Sequence, residues 1–432
     1  EAQGLLAEIA AAVPAGSRVV LSGRRRLGAR FTSLRCAGVL TELGADELAM
    51  TRPEIAATLE AVGVHARASV VEEIRSRTEG WAVGVHALAM SLRRVERAGG
   101  GPGCRPKAGA IADHFSQDVL AGLPARARDL LVQTSVLERV CAPLAVFMTG
   151  DDRAGTVLHE LRDRGVPMAV VDTEGEWLRP NPLLREHLLR ELRHSAPTVE
   201  PGLHLLASRW HAEHGLTGLA FRHALAAGDR RAAGRVFEAS LLQDESRGRA
   251  DVLRERRAAL GSEDARADPA VAVAMAWFDG LADGGEAGRL LAIAEASGAE
   301  DSVTPLGFTS LWAAVAAWRS MFGLGGADEL RVSAQALCEA EPEAAPMRGL
   351  ACELLGASLL VDGRLEDAAV ELRHALHLLP DGLAAHEQQV LGLLAAGALL
   401  AGDPDTAVRD ATRAAAVIVG QGLDGLGSTA LT

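Results

Sequence analysis

Residues 113–144, DHFSQDVLAGLPARARDLLVQTSVLERVCAPL, open the stretch whose reading decides the fold, and it runs on to RHALAAGDRRAAGRVFE at residues 222–238. Its first half is helical in periodicity and is broken once, at residues 166–180, by VPMAVVDTEGEWLRP. There Thr173-Glu174-Gly175 supplies a turn between two short apolar strands, and helices followed by such a hairpin outline a winged helix. The second half is helical throughout, with Leu203, Leu206 and Trp210, then Leu219, Phe221, Ala224 and Leu225, at three- and four-residue spacing. Within this stretch the chain passes from a compact domain into a helical array.

Downstream, one turn recurs with a glycine and, five residues later, an alanine: Gly215 and Ala220, Gly228 and Ala233, Gly363 and Ala368, Gly402 and Ala407. The glycine closes one helix in a left-handed cap, and the alanine lets the next helix cross it closely. Around the third copy, Leu355, Gly356, Leu359, Ala368, Leu372, Ala375 and Pro380 fit tetratricopeptide spacing, but the fourth turn follows 39 residues later, so the array is tetratricopeptide-like and irregular. Stacked helix pairs present a concave face that solenoids use for ligands or peptide segments. The first-type helices near residues 310–322 and 351–360 would line it. Trp318 and Phe322, four apart, share a face that would stack a sugar or anchor a peptide, with packing between repeats as the alternative.

Upstream, SRVVLSGRRR and CAGVLTEL read as two short strands around a basic turn, the first at residues 18–21. Thr51 is the expected N-cap of the next helix, with Pro53 in its first turn and Glu54 at capping-box spacing. Glu79-Gly80-Trp81-Ala82 interrupts the helical periodicity that follows, and its glycine allows a close backbone approach. Residues 98–110, AGGGPGCRPKAGA, read as a flexible linker. The sequence contains no G-x-x-x-x-G-K-[ST], and Lys107 sits between Pro106 and Ala108, so no phosphate-cradling lysine is present.

The segments LPARARDLLVQTSVLERVCAPL, LHELRDRGVPMAVVDTEGEWLRPNPLLREHL and LHLLASRWHAEHGLTGLAFRHALAAGDRRAAGRVFE, with RSRTEGWAVGVHALAMSL before them, resemble the central region of the MalT-like, LuxR-family ATP-dependent transcriptional regulators of the STAND class of NTPases. The resemblance covers about residues 17–240 and implies five parts: residues 1–45 as the end of an α/β nucleotide-binding domain, 46–97 as a helical lid, 98–110 as a linker, 111–195 as a winged-helix domain and 196–432 as a tetratricopeptide-like sensor. It places Arg24 where a strand-end arginine senses a terminal phosphate, and an arginine there faces the ligand crevice of a doubly wound sheet. It places the Gly80-Trp81 turn against the adenine, with packing of Trp81 in the lid's own core as the alternative. After the wing it expects a histidine that holds the diphosphate, where this chain has Asn181 followed by Pro182. Asparagine can donate to phosphate but carries no charge.

Composition narrows the function classes. Residues 239–432 hold 29 acidic and 14 basic side chains, net −15, against 28 and 30, net +2, for residues 1–238. An acidic array repels phosphate backbones, and the winged helix mixes its arginines with acids, so no direct DNA contact is expected. The five cysteines are scattered and never spaced C-x-x-C, which indicates neither a disulfide framework nor a zinc site and fits a reducing cytoplasm. His204, His211 and His214, like His374 and His377, lack a carboxylate that completes a ligand set on the same face, so no metal is expected. The longest apolar run, VLGLLAAGALLAG, is too short to span a bilayer.

The reading is a mostly α chain that is not an enzyme and holds no cofactor itself, ATP or ADP belonging to full-length relatives. By resemblance it is the regulatory and sensor portion of a cytoplasmic transcription regulator. In that family, an inducer on the helical repeats governs nucleotide-dependent self-association, and a C-terminal helix-turn-helix acts on promoters. No such helix is read before Thr432, so a fragment or a degenerate relative is expected. The competing reading is a nucleotide-independent scaffold that binds a protein or peptide.

Overall fold

A computed structural model describes residues 2–14, 16–23, 27–45, 47–98, 115–246, 249–280, 284–298, 306–321, 327–379 and 384–421. These divide into two compact units, Glu1–Trp210 and His211–Thr432. The expected linker lies outside the described residues except for Ala98.

The first unit begins with α1 (Ala2–Ala11) and the short α2 (Thr32–Cys36). The strands expected at residues 18–21 and after Cys36 do not form: both stretches are irregular, with Val20 90% and Val39 72% exposed. A strand exists only with a ladder partner, and among the described residues nothing pairs with either stretch. The mostly α reading holds without them.

Three helices follow, α3 (Arg52–Ala61), α4 (Ala68–Thr78) and α5 (Ala82–Arg97), and pack on one another through Ile55, Leu59, Val71, Ile74, Val85, Leu88 and Leu92. The capping box at Thr51 is present: Glu54 Oε2 accepts from the Thr51 backbone N–H and from its hydroxyl, each at 2.7 Å. A π-helical turn, Phe115–Leu120, leads into α6 (Ala125–Thr134), α7 (Ala142–Thr149) and α8 (Ala154–Asp163).

The hairpin then pairs β1 (Met168–Val170) with β2 (Leu178–Pro180), antiparallel, with Ala169 opposite Arg179. Its turn is held by Asp172, whose carboxylate accepts from the backbone N–H groups of Glu176 (3.1 Å) and Trp177 (2.9 Å). Val140 bridges to Leu178 on the other side of β2, which completes the small sheet of a winged helix. α9 (Pro182–Ser195) starts beyond it, with Pro182 in the first turn, where its missing N–H is no loss. Trp177 meets Trp210 edge-on at 6.1 Å, so the C-terminal half of α10 (Glu200–Glu213) packs with the wing.

The second unit is entirely helical among its described residues. α11 (Thr217–Ala226), α12 (Arg230–Ser246), α13 (Ala250–Ala258) and α14 (Ser262–Ala267) precede α15 (Pro269–Gly280) and α16 (Gly284–Glu295). Then come α17 (Leu311–Met321), α18 (Ala327–Ala340), α19 (Arg348–Val361), α20 (Leu365–Leu378), α21 (Ala384–Leu400) and α22 (Pro404–Gln421). All four turn glycines have positive φ, between 70° and 79°, and Ala220, Ala233, Ala368 and Ala407 behind them are buried. Gly356 lets α19 and α20 touch, since a Cβ there would stand 2.6 Å from Leu372 Cγ. One continuous core runs from Ala220 to Leu394. No helix among the described residues is long and apolar enough to cross a membrane.

Candidate functional site

In the first unit, the backbone that ends α4 is the focus. Thr78 folds its hydroxyl onto the Ile74 carbonyl (2.8 Å), and the chain then takes two left-handed residues in succession, Glu79 at φ 54° and Gly80 at φ 77°. Glu79 is the only described non-glycine residue with positive φ. Gly80 accepts from the Met50 N–H at 2.8 Å, and a Cβ on it would lie 2.8 Å from both Met50 N and O. The close approach expected of this glycine is therefore to the chain's own backbone.

Asn181 reaches the same turn from the start of α9. Its Oδ1 accepts from the Leu183 N–H at 3.1 Å, which makes it the N-cap, while its Nδ2 donates to the Thr78 carbonyl at 3.3 Å and lies 3.5 Å from Glu79 Oε2. Arg179 stands 2.6 Å from the other Glu79 oxygen. Both amide hydrogens of Asn181 are thus engaged, and at 5% exposure it has no water to fall back on. Trp81, just past the turn, stacks on Phe115 with ring centres 5.5 Å apart, and Phe115 meets His187 at 5.8 Å. Burial holds the His187 imidazole below its usual pKa, which favours the neutral ring in this stack.

Gly80, Trp81 and Asn181, up to about a hundred residues apart in sequence, therefore converge on one latch between the three-helix lid and the winged helix. Arg24 lies outside the described residues. The signal that sequence reading missed was Glu79: a charged residue in a left-handed cap is uncommon.

In the second unit, Trp318 is fully buried. Its ring centre lies 4.4 Å from that of Trp277 and 5.4 Å from Phe308, the latter edge-on, and its Nε1 has no hydrogen-bond partner. A ring so enclosed offers no surface to an occupant of a concave face, so the expected stacking position becomes core packing; Phe322 lies outside the described residues. On the same helix Trp312 is the exposed aromatic, at 42%. Glu353 and His386, 33 residues apart, form a buried pair at 3.0 Å that no local spacing announces. His211 and His223 stack at 5.2 Å with rings nearly parallel.

The MalT winged helix domain family matches residues 116–200. The serine/threonine-protein kinase PknK of Mycobacterium tuberculosis strain H37Rv is 30% identical over 219 residues, which are 49% of this chain and 19% of that protein. The HTH-type transcriptional regulator MalT of Klebsiella pneumoniae strain 342 is 27% identical over 221 residues, 50% of this chain and 24% of that one. MalT of Serratia proteamaculans is 29% identical over 221 residues, with the same shares. The matched part spans about a fifth to a quarter of the length of these relatives. A STAND protein with a tetratricopeptide repeat sensor from Pyrococcus horikoshii overlays 87% of this chain and 60% of its own at 14% identity and a TM-score of 0.48, too loose a likeness to bear on function. Helices, hairpin and capped helix stand in winged-helix order over the matched residues, and this chain carries a MalT winged helix domain at residues 116–200, with similarity to MalT regulators over about half its length.

Proposed function

We propose that this chain is the regulatory and sensor portion of a MalT-like transcription regulator, in which an inducer held by the helical array of the second unit governs nucleotide-dependent self-association. The observation that carries this reading is the latch. Asn181, Glu79 and Gly80 join the lid to the winged helix through a left-handed turn whose polar groups are mutually engaged. A phosphate that recruited the Asn181 amide would have to take a hydrogen from Thr78 or Glu79, so nucleotide contact and latch closure compete. Such competition makes a two-state element that a ligand can bias.

On this reading the winged helix is a packed switch element, not a DNA reader. Several of its arginines are occupied within the first unit: Arg126 pairs with Asp151, Arg128 with Glu191 at 2.7 Å, and Arg139 covers the Trp177 ring at 4.6 Å. Arg185 donates to the carbonyls of Leu137 (2.7 Å) and Val136 (3.1 Å). The chain alone is not an ATPase, since its sequence holds no phosphate loop.

Hydrogen exchange on the purified chain tests the proposal, with small sugars and metabolites screened for thermal stabilisation first. A stabilising compound that alters amide protection at residues 78–82 supports a sensor coupled to the latch. If every compound or peptide that binds leaves those amides unchanged, the chain is a scaffold without a switch.

A further inference from the structure

The cysteines that sequence spacing keeps apart come together in the array. Cys338 on α18 and Cys352 on α19 are both buried, with their sulfurs 3.6 Å apart and unbonded. Glu371 on α20 brings a carboxylate oxygen within 4.8 Å of both sulfurs. One turn later on that helix, His374 points Nδ1 at Cys352 Sγ, 3.8 Å away.

The sulfur–sulfur and sulfur–imidazole separations approach those of a coordination shell. Tetrahedral zinc with Zn–S bonds of about 2.3 Å sets its sulfurs about 3.8 Å apart, and a sulfur and an imidazole nitrogen slightly closer. The imidazole also has a carboxylate nearby: Nε2 of His374 lies 3.6 Å from Glu343 Oε1, longer than a hydrogen bond but on the side from which a carboxylate orients a metal-binding ring. A groove of about 800 Å³, bordered by Gln335, Cys338, Arg348 and Glu371, reaches the Cys338 and Glu371 side of the cluster. A dithiol that served only to form a disulfide would need neither the carboxylate nor the imidazole.

We propose that Cys338, Cys352, Glu371 and His374 bind a borderline-soft divalent cation of the zinc class and clamp the three consecutive helices α18, α19 and α20. Binding releases the two thiol protons to solvent, so affinity falls as pH falls. Zinc is chosen over calcium or magnesium because two of the four donors are sulfur. The inference is independent of the regulatory role proposed above.

Cobalt(II) reports the site directly. Added to the reduced, metal-free full chain, it should give a near-ultraviolet thiolate-to-cobalt charge-transfer band and strong visible bands of tetrahedral geometry, saturating at one ion per chain and displaced by zinc. Cys338→Ser and Cys352→Ser should each abolish the charge-transfer band or reduce it to that of a single sulfur, with helicity by circular dichroism confirming the fold. Glu343→Gln, which only orients the imidazole, should weaken binding by roughly 10-fold. Should the cysteine variants fail to fold, the native chain still decides: zinc should slow alkylation of Cys338 and Cys352, mapped by mass spectrometry, while leaving Cys36 unaffected. Absence of the band, its survival in the double serine variant, or alkylation at Cys338 and Cys352 that zinc does not slow would overturn the proposal.

Discussion

Asn181 and Glu238 are both buried polar side chains carried at or in helices, one in each unit, and they are held in opposite ways. Asn181, at 5% exposure, commits its oxygen to a helix N-terminus and its nitrogen to the turn ending α4. Glu238, at 1% exposure within α12, finds no hydrogen-bond partner for either oxygen, and burial together with the nearby Asp268 charge pushes its pKa up to about 8. Arg235 pulls the other way without prevailing. A satisfied buried group fixes geometry, whereas an unsatisfied one leaves a titration inside the core. The first unit uses polar groups to place a turn, and the second tolerates them because its apolar packing is large enough to carry them.

Trp318 tests that tolerance most severely. Trp318→Ala should lower stability by roughly 3–5 kcal/mol in urea unfolding, as removal of a core aromatic does. Trp318→Phe should lose far less, because it also removes an indole N–H that lacks a partner. If both variants unfold alike, packing does not outweigh the unsatisfied N–H, and the contrast between the units fails.

Glu238→Gln is the next largest effect, and its sign depends on pH. An acid whose folded pKa is about 8, against an ordinary 4.5, holds a proton in the folded state that the unfolded state has given up. Its contribution is therefore fully present below pH 4.5 and is lost as pH rises to about 8. The variant should match the native chain in thermal melts at low pH and exceed it by roughly 4–5 kcal/mol at pH 9. Equal stability of the two at pH 9 would show that Glu238 is solvated after all.

In the latch, Gly80→Ala places a Cβ at φ 77° against the Met50 backbone and should cost about 2 kcal/mol, read as earlier loss of lid helicity. Asn181→Ala, losing a cap and the contact to Thr78, should cost about 1 kcal/mol. Asn181→Asp restores the cap but sets a carboxylate beside Glu79 and cannot donate to Thr78, so it should do worse at neutral pH than at low pH. Should Asn181→Asp prove as stable as the native chain at neutral pH, the latch does not depend on donation by the amide.

What the sequence made legible is what depends on near neighbours in the chain. The capping box at Thr51, the hairpin turn at residues 173–175 and the four glycine–alanine turns each involve partners within about five residues, and each stands in the structure. The two upstream strands were misread because an apolar run says nothing about whether a partner strand lies beside it. Gly80, Trp81 and Asn181 were singled out, yet what they do to one another depends on a contact spanning 103 residues between Asn181 and Thr78. The thiol cluster was missed because its donors come from three helices. In hindsight, Glu371 and His374 at one-turn spacing were half of its signature.

The ring contact between Trp277 and His386 bears on how the array folds. These residues lie on α15 and α21, with their ring centres 6.1 Å apart, and α12 also touches α21. In an open solenoid each repeat meets only its neighbours, so unfolding can fray inward from the ends. Here an early helix and a late one share a contact across more than a hundred residues, which raises contact order and slows the closing step. The second unit should therefore melt as one cooperative block, and shortening it from its C-terminal side past α21 should weaken helices whose own sequence is untouched.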